Sequence, residues 1–199
     1  MKKLIPLAPC CAFALFTVLG CSGRTPRLDD KVLVDHIFDV TMLTYSISSM
    51  YPDTTSPRAC WRDSWETDHY VSDLQGGYCH VQGPIEMNVT VDQQGKVTSG
   101  TAQFSWTYTW VDYPIVDTLT GTWTLDGAPS VSVAGLFTLQ PHNTFGAPTG
   151  ITVSGGVREI GPNGYTHTAD VQLTINVNSD GRGGDASGSI DGRKVHIII

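Results

Sequence analysis

Residues 60–79, CWRDSWETDHYVSDLQGGYC, hold the densest group of side chains in this chain that could do chemistry. Trp61, Trp65, Tyr70 and Tyr78 are interspersed with Asp63, Glu66, Asp68, His69 and Asp73. Rings among carboxylates suit a glycan or peptide ligand, because rings stack and acids accept hydrogen bonds. Trp61, Trp65 and Tyr70 are therefore candidate ligand-binding residues. A glycosidase would need two of these acids about 5–9 Å apart across a cleft, a separation that spacing along a chain does not determine. The plainer alternative is a strand pair whose rings cover one end of a core.

A second aromatic row, Phe104, Trp106, Tyr108 and Trp110, recurs at every other residue and so falls on one face of a strand. Such a row can line a ligand cavity inside a barrel. More often it is core, packing across strands. Asp112 and Tyr113-Pro114 end that strand, which places Trp110 near an open rim and adds it to the ligand-binding candidates. Asn176, Asn178, Asp180 and Gly181 resemble the start of a calcium loop, but Ser187 stands where the closing glutamate belongs. The simpler reading is a polar strand face leading into an Asp-Gly turn. Arg182-Gly183-Gly184-Asp185 is not an Arg-Gly-Asp tripeptide. The sequence carries no G-x-S-x-G elbow, H-E-x-x-H helix or phosphate-binding loop. His36, His69, His80, His142, His167 and His196 are scattered without metal-ligand spacing. The sequence assigns no catalytic residue, cofactor or metal set.

The N-terminus carries an address. Lys2 and Lys3 precede an uncharged, mostly apolar run, Leu4 to Leu19, and Val18-Leu19-Gly20-Cys21 sets a small residue directly before a cysteine. This order resembles the lipobox of bacterial lipoproteins. The resemblance implies cleavage before Cys21, a diacylglyceryl group on its thiol, and a location in the bacterial cell envelope. By the same family's sorting rule, Ser22 directs the protein to the outer membrane. An ordinary secretory peptide would end in a small-x-small site. A spanning anchor needs about 20 apolar residues, and this run is shorter and broken by Pro6 and Pro9. More than one acyl chain makes attachment stable without a spanning helix.

Once residues 1–20 are removed, Lys2 and Lys3 leave with them and the formal charge moves from 12 − 19 = −7 to 10 − 19 = −9. An acidic surface argues against nucleic acid and against a broad electrostatic grip on anionic headgroups. Cys10 and Cys11 leave as well, and lipid consumes Cys21. Cys60 and Cys79 remain, an even pair in an exported chain, and so are expected to form a disulfide. Closing that loop of about 20 residues would contribute roughly 3 kcal/mol. The partner classes are the membrane through the lipid, and an envelope protein or glycan. A structural role in envelope assembly and a hydrolase using carboxylates of the 60–79 loop are the alternatives.

The elements that must position these residues read as follows. Residues 21–28 form a short polar tether, and 29–199 have the length of one domain. Asp29 and Asp30 precede Leu33, Ile37, Val40, Thr44 and Ile47, a helical spacing with acids at the favoured end. Its β-branched residues leave a strand open over Val32 to Val40. From Ile85 onward the period is two. Segments around 85–91, 97–110, 119–125, 131–139, 151–160, 165–177 and 188–199 are separated by turns such as Asp126-Gly127, Pro162-Asn163-Gly164 and Asp180-Gly181. With 21 Gly and 16% charged residues, the expected fold is mainly β. It is an antiparallel meander forming a sandwich or barrel, with an N-terminal helix.

Overall fold

The computed structural model describes residues 27–48, 60–72, 76–94, 97–127, 130–140 and 144–199. The lipobox, Cys21 and most of the tether lie outside the described residues.

The expected helix is present as α1 (Asp30–Ser48). Asp29 caps it: its side chain accepts the Lys31 N–H at 2.8 Å, and its carbonyl accepts the Leu33 N–H at 3.1 Å. Leu33, Ile37, Val40 and Thr44 are all buried, as their spacing requires, together with Val34 and Thr41. The strand alternative fails here because one long apolar stripe, packed against a sheet, outweighs β propensity.

Eleven strands follow among the described residues. They are β1 (Cys60–Ser72), β2 (Tyr78–Val91), β3 (Val97–Val111), β4 (Tyr113–Asp117), β5 (Gly121–Asp126) and β6 (Val131–Gln140). The rest are β7 (Thr144–Phe145), β8 (Thr149–Ile160), β9 (Thr166–Val177), β10 (Gly184–Ile190) and β11 (Arg193–Ile198). All pair antiparallel in one sheet, in the order β1-β2-β3-β6-β8-β9-β10-β11. The hairpin β4–β5 branches off and joins β8 through β5.

The meander is as expected, but the sheet does not close into a barrel. β1 and β11 are the ends of the strand order, and α1 packs against both. The helix also lies against the inner face, with His36, Thr41 and Tyr45 meeting Trp110, Tyr108 and Phe137. Alternation then divides the faces. On β3, Ala102, Phe104, Trp106, Tyr108 and Trp110 are buried, while Thr101, Gln103, Ser105 and Thr107 face solvent. Phe104 stacks on Phe137 at 4.7 Å, and Tyr45 of α1 stacks on the same ring at 4.4 Å. Gly135 leaves room for this: a Cβ there would come within 2.6 Å of the Phe104 ring.

Candidate functional site

The 60–79 segment is a hairpin. β1 pairs with β2 in continuous register from Cys60↔Thr90 to Ser72↔Tyr78. That register overturns the expected disulfide. Cys79 sits opposite Val71, and Cys60 lies opposite Thr90, eleven residues further along β2. At about 3.3 Å per residue the two cysteines are roughly 36 Å apart, where a bridge tolerates about 7 Å between Cα atoms. Cys79 is a free, fully buried thiol, and burial pushes its pKa up to about 12 against a hydrogen bond from the Thr109 backbone. It stays protonated and unreactive.

The register also separates the candidate rings. Trp61 and Trp65 pair with Val89 and Ile85, and Tyr70 pairs with His80. Residues of opposite parity occupy opposite faces of a strand, so Tyr70 does not share a site with Trp61 and Trp65. The side chains of Trp61 and Trp65 lie outside the described residues. Trp110 is not at an open rim. It is fully buried, and its indole N–H donates to His36 Nε2 of α1 at 3.0 Å. The Phe104–Trp110 row is core. The Asn176–Gly181 stretch runs from the end of β9 into the β9–β10 turn, where Asp180 accepts the Arg182 N–H at 2.9 Å and Gly181 donates to the Asn178 carbonyl.

What the hairpin does build is a ledge on its outer face. Tyr70 lies flat on the His80 ring, with centroids 4.3 Å apart and planes 8° from parallel. Tyr78 meets Tyr70 edge-on at 5.3 Å. His80 Nε2 is 2.7 Å from Asp68 Oδ1, which fixes the imidazole beneath the phenol. Tyr70 is nevertheless 60% exposed. A ring held flat over a second ring is pre-organised to stack on a planar or pyranose ligand face.

On the inner side of the same strand, His69 meets Thr44 of α1 at 3.2 Å, and burial lowers its pKa. Neighbouring Tyr108 donates to Thr41 at 2.9 Å, so a polar seam joins the helix to the sheet.

A second cluster surrounds the start of α1 and borders a recess of about 690 Å³. Two carboxylates grip the backbone there. Glu159 accepts the Leu28 N–H at 3.3 Å, and Asp117 accepts the N–H of Asp29. Burial pushes Glu159 up to about 7, opposed by the Leu28 N–H, His167 and Arg27. Asp117 is held below the ordinary carboxylate range chiefly by the Thr120 hydroxyl, at 2.6 Å, and by the N–H of Leu119 at 2.8 Å.

Asp191 is the hub of the cluster. Burial alone would raise its pKa, but the Asp170 N–H at 3.0 Å and His167 at 2.9 Å bring it below normal. Arg27 bridges Asp191, at 3.1 Å, and Asp30, and Arg193 adds a contact to Asp30 at 3.2 Å. Asp191 and Gly192, with φ of 53° and 69°, form the tight turn that aims this carboxylate inward. These groups hold residues 27–30 to the body of the domain: their hydrogen bonds go to chain and to one another.

The strand pattern contained a signal for this cluster. Glu159 stands in phase with the buried Val157, Val153 and Ile151, an apolar parity where a carboxylate is out of place. No family model, curated protein or solved structure matches the chain.

Proposed function

We propose that this chain is a lipid-anchored envelope protein that acts by binding, held to the outer membrane through Cys21 and presenting the Tyr70 ledge to a glycan or peptide partner. The ledge carries the binding half of this reading. Tyr70 is an aromatic side chain kept rigid by His80 and Tyr78 while most of its surface meets water. Asp68 beside it offers an acceptor for hydroxyl or amide donors. The anchoring half is supported by the short tether, which runs from Cys21 directly into a segment latched to the domain by Glu159 and Asp117.

The test is a pull-down with peptidoglycan fragments and envelope glycans, comparing the wild type with Tyr70→Ala and followed by product analysis. Loss of a stacking anchor costs about 1–3 kcal/mol, so binding should weaken by roughly 5- to 150-fold. Retention of full affinity by Tyr70→Ala removes the ledge as the binding surface, and release of cleaved product replaces binding with hydrolysis.

A further inference from the structure

Arg27 is the first described residue, six residue steps along the chain from Cys21. An extended chain covers at most about 3.6 Å per residue, so Arg27 lies within about 22 Å of the acylated cysteine. Its position on the domain is set by the Leu28 and Asp29 N–H bonds to buried carboxylates and by its own pairs with Asp30 and Asp191. A bilayer holding the acyl chains therefore lies within reach of this pole of the protein.

The same pole displays apolar surface. Leu119, at the tip of the β4–β5 turn, borders the recess beside Arg27 and Arg193 and is 87% exposed. Val116 on the same hairpin is also exposed. Arg193, at the start of β11, borders the same recess, half-exposed and paired with Asp30. An exposed aliphatic tip on the pole nearest the acyl chains matches the headgroup–acyl boundary, where aliphatic groups enter.

We propose that this pole is a second, protein-made contact with the membrane, in which Leu119 enters the headgroup–acyl boundary. The proposal rests on the lipid-anchor reading of Cys21. The short reach favours lipid over a protein occupant, since a folded domain of 100 residues is at least about 26 Å across and would not fit beneath the pole. With an acidic mature chain, the contact depends on insertion of the turn and not on a long-range field.

The contact would fix orientation. α1 starts at this pole and runs along β3, from Trp110 at His36 to Phe104 and Phe137 near Tyr45. The far end of β3, around Thr101, then points away from the membrane.

The experiment uses the full lipidated protein in vesicles of phosphatidylethanolamine and phosphatidylglycerol. Leu119→Cys and Thr101→Cys, each in a Cys60→Ser background, carry a polarity-sensitive bimane label, and Cys79 is too buried to react. Flotation with the vesicles and the acyl mass on Cys21 report the anchor. The label at Leu119 should shift to the blue and lose fluorescence to nitroxide-bearing lipids, while the label at Thr101 does neither. A floating protein whose Leu119 label stays in water overturns the contact and leaves the anchor standing. Equal quenching at both positions overturns the orientation. A protein without acyl mass that does not float overturns the anchor reading, and the contact with it. Shielding of Leu119 that appears only with added envelope protein, without nitroxide quenching, replaces lipid with a protein partner.

Discussion

Glu159→Gln isolates the energetic cost of the buried carboxylate beneath the start of α1. In the folded protein burial raises Glu159 from 4.5 to about 7. The folded state therefore holds its proton over a range where the unfolded chain has released it. The stabilising contribution is complete below pH 4.5 and is lost as pH rises through 7. At about 1.36 kcal/mol per pH unit, the gap of about 2.5 units corresponds to roughly 3 kcal/mol. Gln keeps the acceptor for the Leu28 N–H and removes the charge. Relative to wild type, Glu159→Gln should thus gain about 3 kcal/mol between pH 4.5 and pH 8, or about 6–12 °C in Tm for a domain of this size.

The wild-type slope alone does not isolate Glu159. His69, whose pKa is lowered by burial, contributes stability that is present above 6.5 and lost as pH falls, the opposite sign in an overlapping window. The difference between variant and wild type cancels that contribution. Urea unfolding at pH 4.5, 6 and 8 reads it directly. Two stability curves that stay parallel across this range would refute the buried, proton-holding carboxylate, as would a variant that loses stability at pH 8.

Three further outcomes are expected. Alkylation under denaturing, non-reducing conditions should label both Cys60 and Cys79, while Cys79 stays unlabelled in the native protein; recovery of a peptide linking 60 to 79 contradicts the hairpin register. Gly135→Ala should cost about 1–3 kcal/mol in urea unfolding, because its methyl group meets the packed Phe104 ring; an unchanged midpoint means that the ring has room to move. Cys21→Ala should abolish acyl mass and leave uncleaved precursor in the native host, and maturation to the same N-terminus rules out the lipobox.

Local pattern carried much of this fold. The i, i+3, i+4 spacing of Leu33, Ile37, Val40 and Thr44 marks the buried face of α1, and period-two alternation marks β3 and β9 with their inner faces. Those features are legible because one residue's burial dictates its neighbours' polarity along the same element. Elements without clean alternation were harder. The 60–79 segment, where polar residues and rings are mixed, leaves a ligand-binding loop and a strand pair both open in the sequence, and the structure shows the strand pair. The segment 188–199 reads as one strand although the Asp191-Gly192 turn divides it into β10 and β11.

The sequence by itself thus determined element type and the parity of the core for most of the chain. Pairing was decided by tertiary structure. Whether Cys60 meets Cys79 depends on hairpin register, and a two-stranded register can hold two cysteines far apart at opposite ends. Whether the sheet closes depends on whether β1 reaches β11, which no local pattern fixes. The clusters at Tyr70 and Glu159 arise from the same cause. Tyr70 gains its platform from a partner ten residues away, and Glu159 gains its raised pKa from burial at a site where its hydrogen-bond partner, Leu28, is 131 residues distant. Such groups become chemically distinct only when the chain folds back and removes water from between them.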